Sequence, residues 1–193
     1  MKKQVGIFSG SFNPIHVGHM ILANYMQQFT YLDEVWIVVT PQNPLKKLSE
    51  LLNDDLRLAM TKLATDNYDN LKVCDIEFKM PIPSYTIDTL HQLSSQYPDY
   101  EFTLIIGGDN WEYFDKWKDY QTILREYKII IYPRLGETIE IEEQYKDTVK
   151  LVTAPIVEVS STFIRNNLRE GKEMRAFVPE KVYDYILNDN LYK

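Results

Sequence analysis

The 193-residue sequence predicts an α/β fold built on a doubly wound, mainly parallel sheet. Three observations carry that reading. Five short runs rich in Val, Ile and Phe are spaced along the chain, stretches with apolar residues at helical spacing lie between them, and no repeat, low-complexity tract or linker interrupts the alternation. Such alternation gives right-handed crossovers and a ligand crevice outside the carboxyl ends of the strands.

The first run, Gln4 to Phe8, and those at Glu34 to Val39, Phe102 to Ile106 and Lys128 to Tyr132 are so continuously apolar that both faces of each strand should be buried. Leu71 to Phe78 reads as the remaining strand. Between them, Ile21, Leu22, Tyr25, Met26 and Phe29 repeat at helical spacing, as do Leu56, Ala59, Met60 and Leu63, then Ile87, Leu90 and Leu93. In the last third, Val157-Glu158-Val159 reads as a strand leading into the hydroxyl-rich Ser160-Ser161-Thr162, and Phe163, Ile164 and Leu168 extend a helix to a C-cap at Gly171. A final helix starts near Pro179 and runs through Val182, Tyr183 and Ile186. The expected organisation is one Rossmann-like domain over residues 1–193 with a helical C-terminal part. The candidate ligand loops are Ser9 to His16, Thr40 to Leu48, Lys79 to Tyr85 and Gly107 to Asn110.

Composition narrows the partners. Hydrophobic residues make up 45% of the chain, ordinary for a globular protein, and no segment reaches the ~20 apolar residues of a membrane span. Behind Met1-Lys2-Lys3 the apolar stretch is broken by Gly6 and Ser9-Gly10, too short for a signal-peptide core, and Cys74 is the sole cysteine. A cytoplasmic protein is expected, with no membrane partner. The net charge of −7 argues against a broad nucleic-acid-binding surface, so an anionic partner would be small and locally held. The 14 tyrosines suit either a core or an interface, which leaves a homo-oligomer open.

The loop Gly10 to His19, GSFNPIHVGH, matches none of three common site patterns. It has no G-x-G-x-x-G, no P-loop lysine, and its two histidines lack both a third zinc ligand and the spacing of H-E-x-x-H. Two readings remain for His16 and His19: caps or packing groups on the first helical turn, or donors to an anion. Pro14 fixes the backbone before the helix, and Gly10 and Gly18 permit close approach of main chain or ligand. The helix N-terminus, with its unpaired N–H groups, would then face the crevice and favour phosphate. Ser160, Ser161, Thr162 and Arg165 form a second helix start of similar chemistry, where capping alone would explain one serine.

These two elements resemble the paired G-x-F-x-P-x-H-x-G-H and [ST]-x-x-[IL]-[RK] motifs of the nucleotidyltransferase superfamily. PSYTIDTL from Pro83 to Leu90, IIGGDN from Ile105 to Asn110, and Lys116-Trp117 are similar to bacterial nicotinate mononucleotide adenylyltransferases, and the resemblance runs over nearly the whole chain. It implies ATP and nicotinate mononucleotide as substrates, Mg²⁺ as cofactor, and in-line transfer without a covalent intermediate. It implies His16, His19, Lys46 and Arg165 as catalytic groups. It implies ATP contacts from Gly10, Ser11, Phe12, His16, His19, Ser160, Ser161, Thr162 and Arg165, and acceptor contacts from Tyr85, Thr86, Gly108, Asp109, Trp117 and Arg134, with no dedicated protein metal ligands.

The chain departs from the family pattern in places. Ser11 and Asn13 stand where members often have Thr and Asp, Leu45 where a His often precedes the loop lysine, Lys118 where Tyr often follows the Trp, and Leu135 intervenes after Arg134. Lys118 either supplies a cation for the nicotinate carboxylate that the resemblance implies or points into water, and amid the charged neighbours Lys116 and Asp119 water is the expectation. Another enzyme of the superfamily, or a nucleotide sensor that binds without turnover, is the alternative reading.

Overall fold

The computed structural model describes residues 2–41, 51–136 and 139–193. Among these residues, six strands form one all-parallel sheet: β1 (Lys3–Gly10), β2 (Glu34–Val39), β3 (Leu71–Cys74), β4 (Tyr100–Gly107), β5 (Lys128–Tyr132) and β6 (Val149–Leu151), in the order β3-β2-β1-β4-β5-β6. Among the described residues, seven helices accompany them: α1 (Val17–Phe29), α2 (Asp54–Thr65), α3 (Thr86–Gln96), α4 (Gly108–Trp111), α5 (Tyr120–Glu126), α6 (Ser161–Arg169) and α7 (Glu180–Asn188). The fold is Rossmann-like, as the alternation predicts.

Both faces of the sheet are covered. Phe8, Val35, Ile37, Val39, Ile105 and Ile130 pack on one face against α1, α2, α6 and α7; Val5, Ile7, Val38, Leu104, Ile129 and Ile131 pack on the other against α3 and α5. Burial on both sides is why the central strands lack polar alternation. Strand order reverses between β1 and β4, so the loops leaving these neighbours part to opposite faces and open a cleft at their carboxyl ends.

Three sequence expectations need correction. The third strand ends at Cys74, and Ile76–Lys79 is a 3₁₀ turn, because the buried Glu77 carboxylate bonds Ser84 and Thr89 and draws the chain out of the sheet. Residues 157–159 lie outside the sheet; Val157 and Val159 line the cleft instead of joining the ladder. The sixth strand is β6, whose three residues include only one that is buried, leaving no apolar run to reveal it. The short α4 and α5 likewise leave no readable period. Among the described residues, no helix is long and apolar enough to cross a membrane.

Candidate active site

The cleft has two halves that share Phe8, Ser9, Gly10, Asn110 and Tyr132. One half, here the histidine half, is walled by the β1–α1 loop, the first turn of α1, Asp109, Arg134 and the start of α6. The other, the aromatic half, is walled by Thr40, Glu77, the start of α3, and the segment Lys116 to Lys118.

In the histidine half the loop backbone bends sharply. Phe12 takes a left-handed φ of 45°, a conformation that costs free energy outside glycine, and its buried ring folds back onto Gly10. A Cβ on Gly10 would lie 2.9 Å from that ring, and one on Gly18 would lie 3.1 Å from the His16 ring. The glycines therefore admit the loop's own side chains, a more local reason than ligand approach.

Side chains distant in sequence hold this loop. Arg57, fully buried on α2, donates to the carbonyls of Ser11, Thr40 (2.9 Å), Pro41 (3.2 Å) and Leu52 (3.1 Å). Arg165 Nη1 donates to the Asn13 carbonyl at 3.0 Å, Ser161 Oγ to that of Pro14 at 2.9 Å, and Tyr192 Oη to Asn13 Oδ1 at 2.9 Å. Buried carbonyls left without such donors would each cost about 1–3 kcal/mol. Desolvation also pushes the Tyr192 phenol well above its ordinary range, keeping it a neutral donor.

His16 is the N-cap of α1 and His19 its third residue, with rings stacked at 3.7 Å between centroids. The two face each other's backbone in a capping box, in which His19 Nδ1 accepts from the His16 backbone N–H at 3.2 Å. An accepting Nδ1 places the ring proton of a neutral His19 on Nε2. Burial, reinforced by the Arg134 charge, lowers the His16 pKa to about 4, which makes it neutral at pH 7. His16 Nδ1 and Ser11 Oγ are buried without a hydrogen-bond partner among the described residues, and both residues line the cleft. Orphaned polar atoms at a cleft wall are where a ligand's polar groups belong.

The start of α6 faces the same space. Ser160 caps it, Oγ accepting from the Phe163 N–H at 3.1 Å, and Thr162 Oγ1 accepts from Arg165 at 3.3 Å. The two helix starts predicted from sequence thus converge. Arg134 Nε lies 3.8 Å from Asp109 Oδ1, and its guanidinium stands 5.4 Å from the Tyr132 ring centroid.

In the aromatic half, Glu77 accepts from Ser84 Oγ at 2.6 Å and Thr89 Oγ1 at 2.9 Å, and its burial raises its pKa above the ordinary carboxylate range. Those bonds fix the turn that precedes Tyr85, the N-cap of α3. Trp117 packs against Phe114 at 5.2 Å and lines the slot with Tyr85 and Thr86. Lys118 does not simply point into water. Its ammonium bonds Asp88 Oδ1 and Oδ2 at 3.0 and 2.8 Å and lies 4.9 Å from the Tyr85 ring centroid, drawn there by an opposite charge and an aromatic face.

Of the sequence-derived candidates, Gly10, Ser11, Phe12, His16, His19, Ser160, Ser161, Thr162 and Arg165 line the histidine half, and Tyr85, Thr86 and Trp117 the aromatic half. Asp109 and Arg134, grouped from sequence with the acceptor residues, sit beside the histidines, while Gly108 opens α4 and lines neither half. Lys46 lies outside the described residues. Sequence reasoning missed Arg57 and Glu77. The only sequence signal for each is a charged residue set inside a run whose spacing demands burial.

Comparison with known proteins shows the family and the fold. The pattern of the cytidylyltransferase-like family matches residues 7–167. A Flavobacterium johnsoniae protein named "Probable nicotinate-nucleotide adenylyltransferase" is 49% identical over 191 residues, covering 98% of this chain and 99% of its own. A Bacteroides thetaiotaomicron protein of the same name is 50% identical over 185 residues, covering 96% and 91%. The fold also matches that of Plasmodium falciparum nicotinic acid mononucleotide adenylyltransferase complexed with NaAD, with a TM-score of 0.81 at 22% identity over 98% of this chain and 97% of that one. With its paired helix starts, its histidine pair and these relatives, the chain belongs to the cytidylyltransferase-like family and, within it, to the nicotinate-nucleotide adenylyltransferases.

Proposed function

We propose that the chain transfers the adenylyl group of ATP to nicotinate mononucleotide, giving deamido-NAD and pyrophosphate in NAD biosynthesis. The observation that carries this reading is the continuity of the cleft: a polar half with two helix starts and a histidine pair opens directly into a slot lined by Tyr85 and Trp117. A triphosphate suits the first and a flat ring the second.

The chemistry asks little covalent help. The mononucleotide's 5′-phosphate is already an anion; one of its oxygens forms a bond to the α-phosphorus of ATP as the bond from that phosphorus to the bridging oxygen of the β-phosphate breaks, and pyrophosphate leaves with the electron pair. No general base is needed. His16 and His19 act as ring N–H donors to the phosphate oxygens, and the N-termini of α1 and α6 add their dipoles. Lys46 supplies a further charge. Arg165 both lines the cleft and holds the Asn13 carbonyl, so its charge comes with a positioning role.

No cluster of three or more His, Cys, Asp or Glu side chains suited to a metal exists among the described residues, and Asp109 in the histidine half is engaged with Arg134. That donor set fits Mg²⁺ held by phosphate and water oxygens, the arrangement magnesium favours, where it would neutralise charge on the polyphosphate. Residues 1–193 act as one nucleotidyltransferase unit on this reading, since Tyr192 near one end fixes Asn13 near the other.

The test is pyrophosphate release from ATP and Mg²⁺ with each of several acceptors. Release with nicotinate mononucleotide is expected. Release only with phosphopantetheine, or tight nucleotide binding without turnover on any acceptor, would contradict the reading.

A further inference from the structure

We propose that Lys118 is a specificity-determining residue: its ammonium group takes the carboxylate of the acceptor's pyridine ring and sets a preference for the acid over the amide. This rests on the adenylyl-transfer reading above and assigns to it a side chain outside the paired motifs.

Two side-chain cations line the aromatic half, Lys116 and Lys118, among the described residues. Lys116 Nζ is turned to the Tyr113 ring, 4.8 Å from its centroid. Lys118 Nζ is instead held at the front of α3, over Tyr85 and against Asp88, by a segment 30 residues further along the chain. An ammonium has three N–H donors, and the two oxygens of one carboxylate engage at most two, which leaves at least one for a ligand. The first turn of α3 adds unpaired backbone N–H groups on the same rim. A ring carboxylate set against Lys118 Nζ and those N–H groups meets donors, with Asp88 the carboxylate already paired to the ammonium. A carboxamide would turn its own NH₂ toward those donors unless it flipped, and in either pose it lacks the charge that the ammonium attracts. The acidic groups nearby are Asp88, Asp119 and Glu77; Asp88 is neutralised by the pair itself, and Glu77 is buried and bonded to two hydroxyls.

Steady-state kinetics with nicotinate and nicotinamide mononucleotides, on the wild type, Lys118→Met, Lys118→Arg and Asp88→Asn, tests the assignment. Lys118→Met is expected to raise KM for the acid about 10-fold, a change of about 1.4 kcal/mol, with kcat and the amide's KM held. Lys118→Arg should restore most of the loss. Asp88→Asn breaks the ion pair but keeps the cation, so the acid-to-amide ratio should not fall. The proposal is overturned if Lys118→Met shifts acid and amide equally, if Asp88→Asn lowers the ratio as far as Lys118→Met does, or if the wild type prefers the amide. A wild type inactive on both ring mononucleotides would instead remove the adenylyl-transfer reading, and this one with it.

Discussion

In the histidine half of the cleft, the backbone carbonyls of residues 11, 13 and 14 are each held by a side chain at least 46 positions away, while in the aromatic half Lys118 and Asp88 meet as an ion pair with both side chains 42% exposed. The contrast follows the chemistry each half performs. Donors that stabilise developing charge lower a barrier only if already in place, and two buried arginines with a partly buried serine hydroxyl keep the His16 turn in place without substrate. A slot that grips a ring in ground and transition states alike tolerates a softer wall.

The comparison can be broken by experiment, beginning with its most rigid member. Arg57→Ala strands four carbonyls that bracket both cleft loops, and a loss of about 3–5 kcal/mol is expected, the scale for removing one partner from a buried charged network. Thermal unfolding reads it. A fall in Tm no larger than that of Lys118→Met would erase the difference between the halves.

Next comes the buried imidazole. His16 titrates near 6.5 when unfolded and near 4 when folded, so between those pH values the unfolded chain binds more protons and stability falls as pH drops. The part due to His16 is complete above 6.5, is lost on passing down through 4, and amounts to at most about 3.5 kcal/mol. Denaturant unfolding of wild type against His16→Gln at several pH values isolates it. Parallel curves from pH 7 to 4 would show that His16 is not buried as described.

The smallest effect belongs to the aromatic half. Trp117→Ala should raise KM for the mononucleotide about 10-fold with kcat little changed, because stacking acts before and during the reaction. A loss carried mainly by kcat would make Trp117 part of the rigid machinery instead.

The sequence exposes these regions unequally. GSFNPIHVGH and SSTFIR are contiguous, so their spacing alone announces two helix starts, and the central strands betray themselves by unbroken apolar runs. The tethers are another matter. Arg57 sits in an ordinary amphipathic helix, and nothing local says its guanidinium will reach the carbonyls of Ser11 and Thr40. Glu77 hides in a stretch that resembles a strand, and its two hydroxyl partners lie 7 and 12 residues on. Lys118 reads as one charge among several until the fold brings Asp88 beside it. Local periodicity reports burial, whereas polar tethers depend on contacts that exist only after folding.

Everything turns on the triphosphate lying against the histidine pair at the front of α1. The most direct check is kcat for pyrophosphate release by His19→Ala at saturating ATP and nicotinate mononucleotide, with folding confirmed by circular dichroism. A fall of about 10²-fold or more is expected, the scale for deleting one charge-stabilising donor. A folded His19→Ala protein that turns over at the wild-type rate would contradict the account.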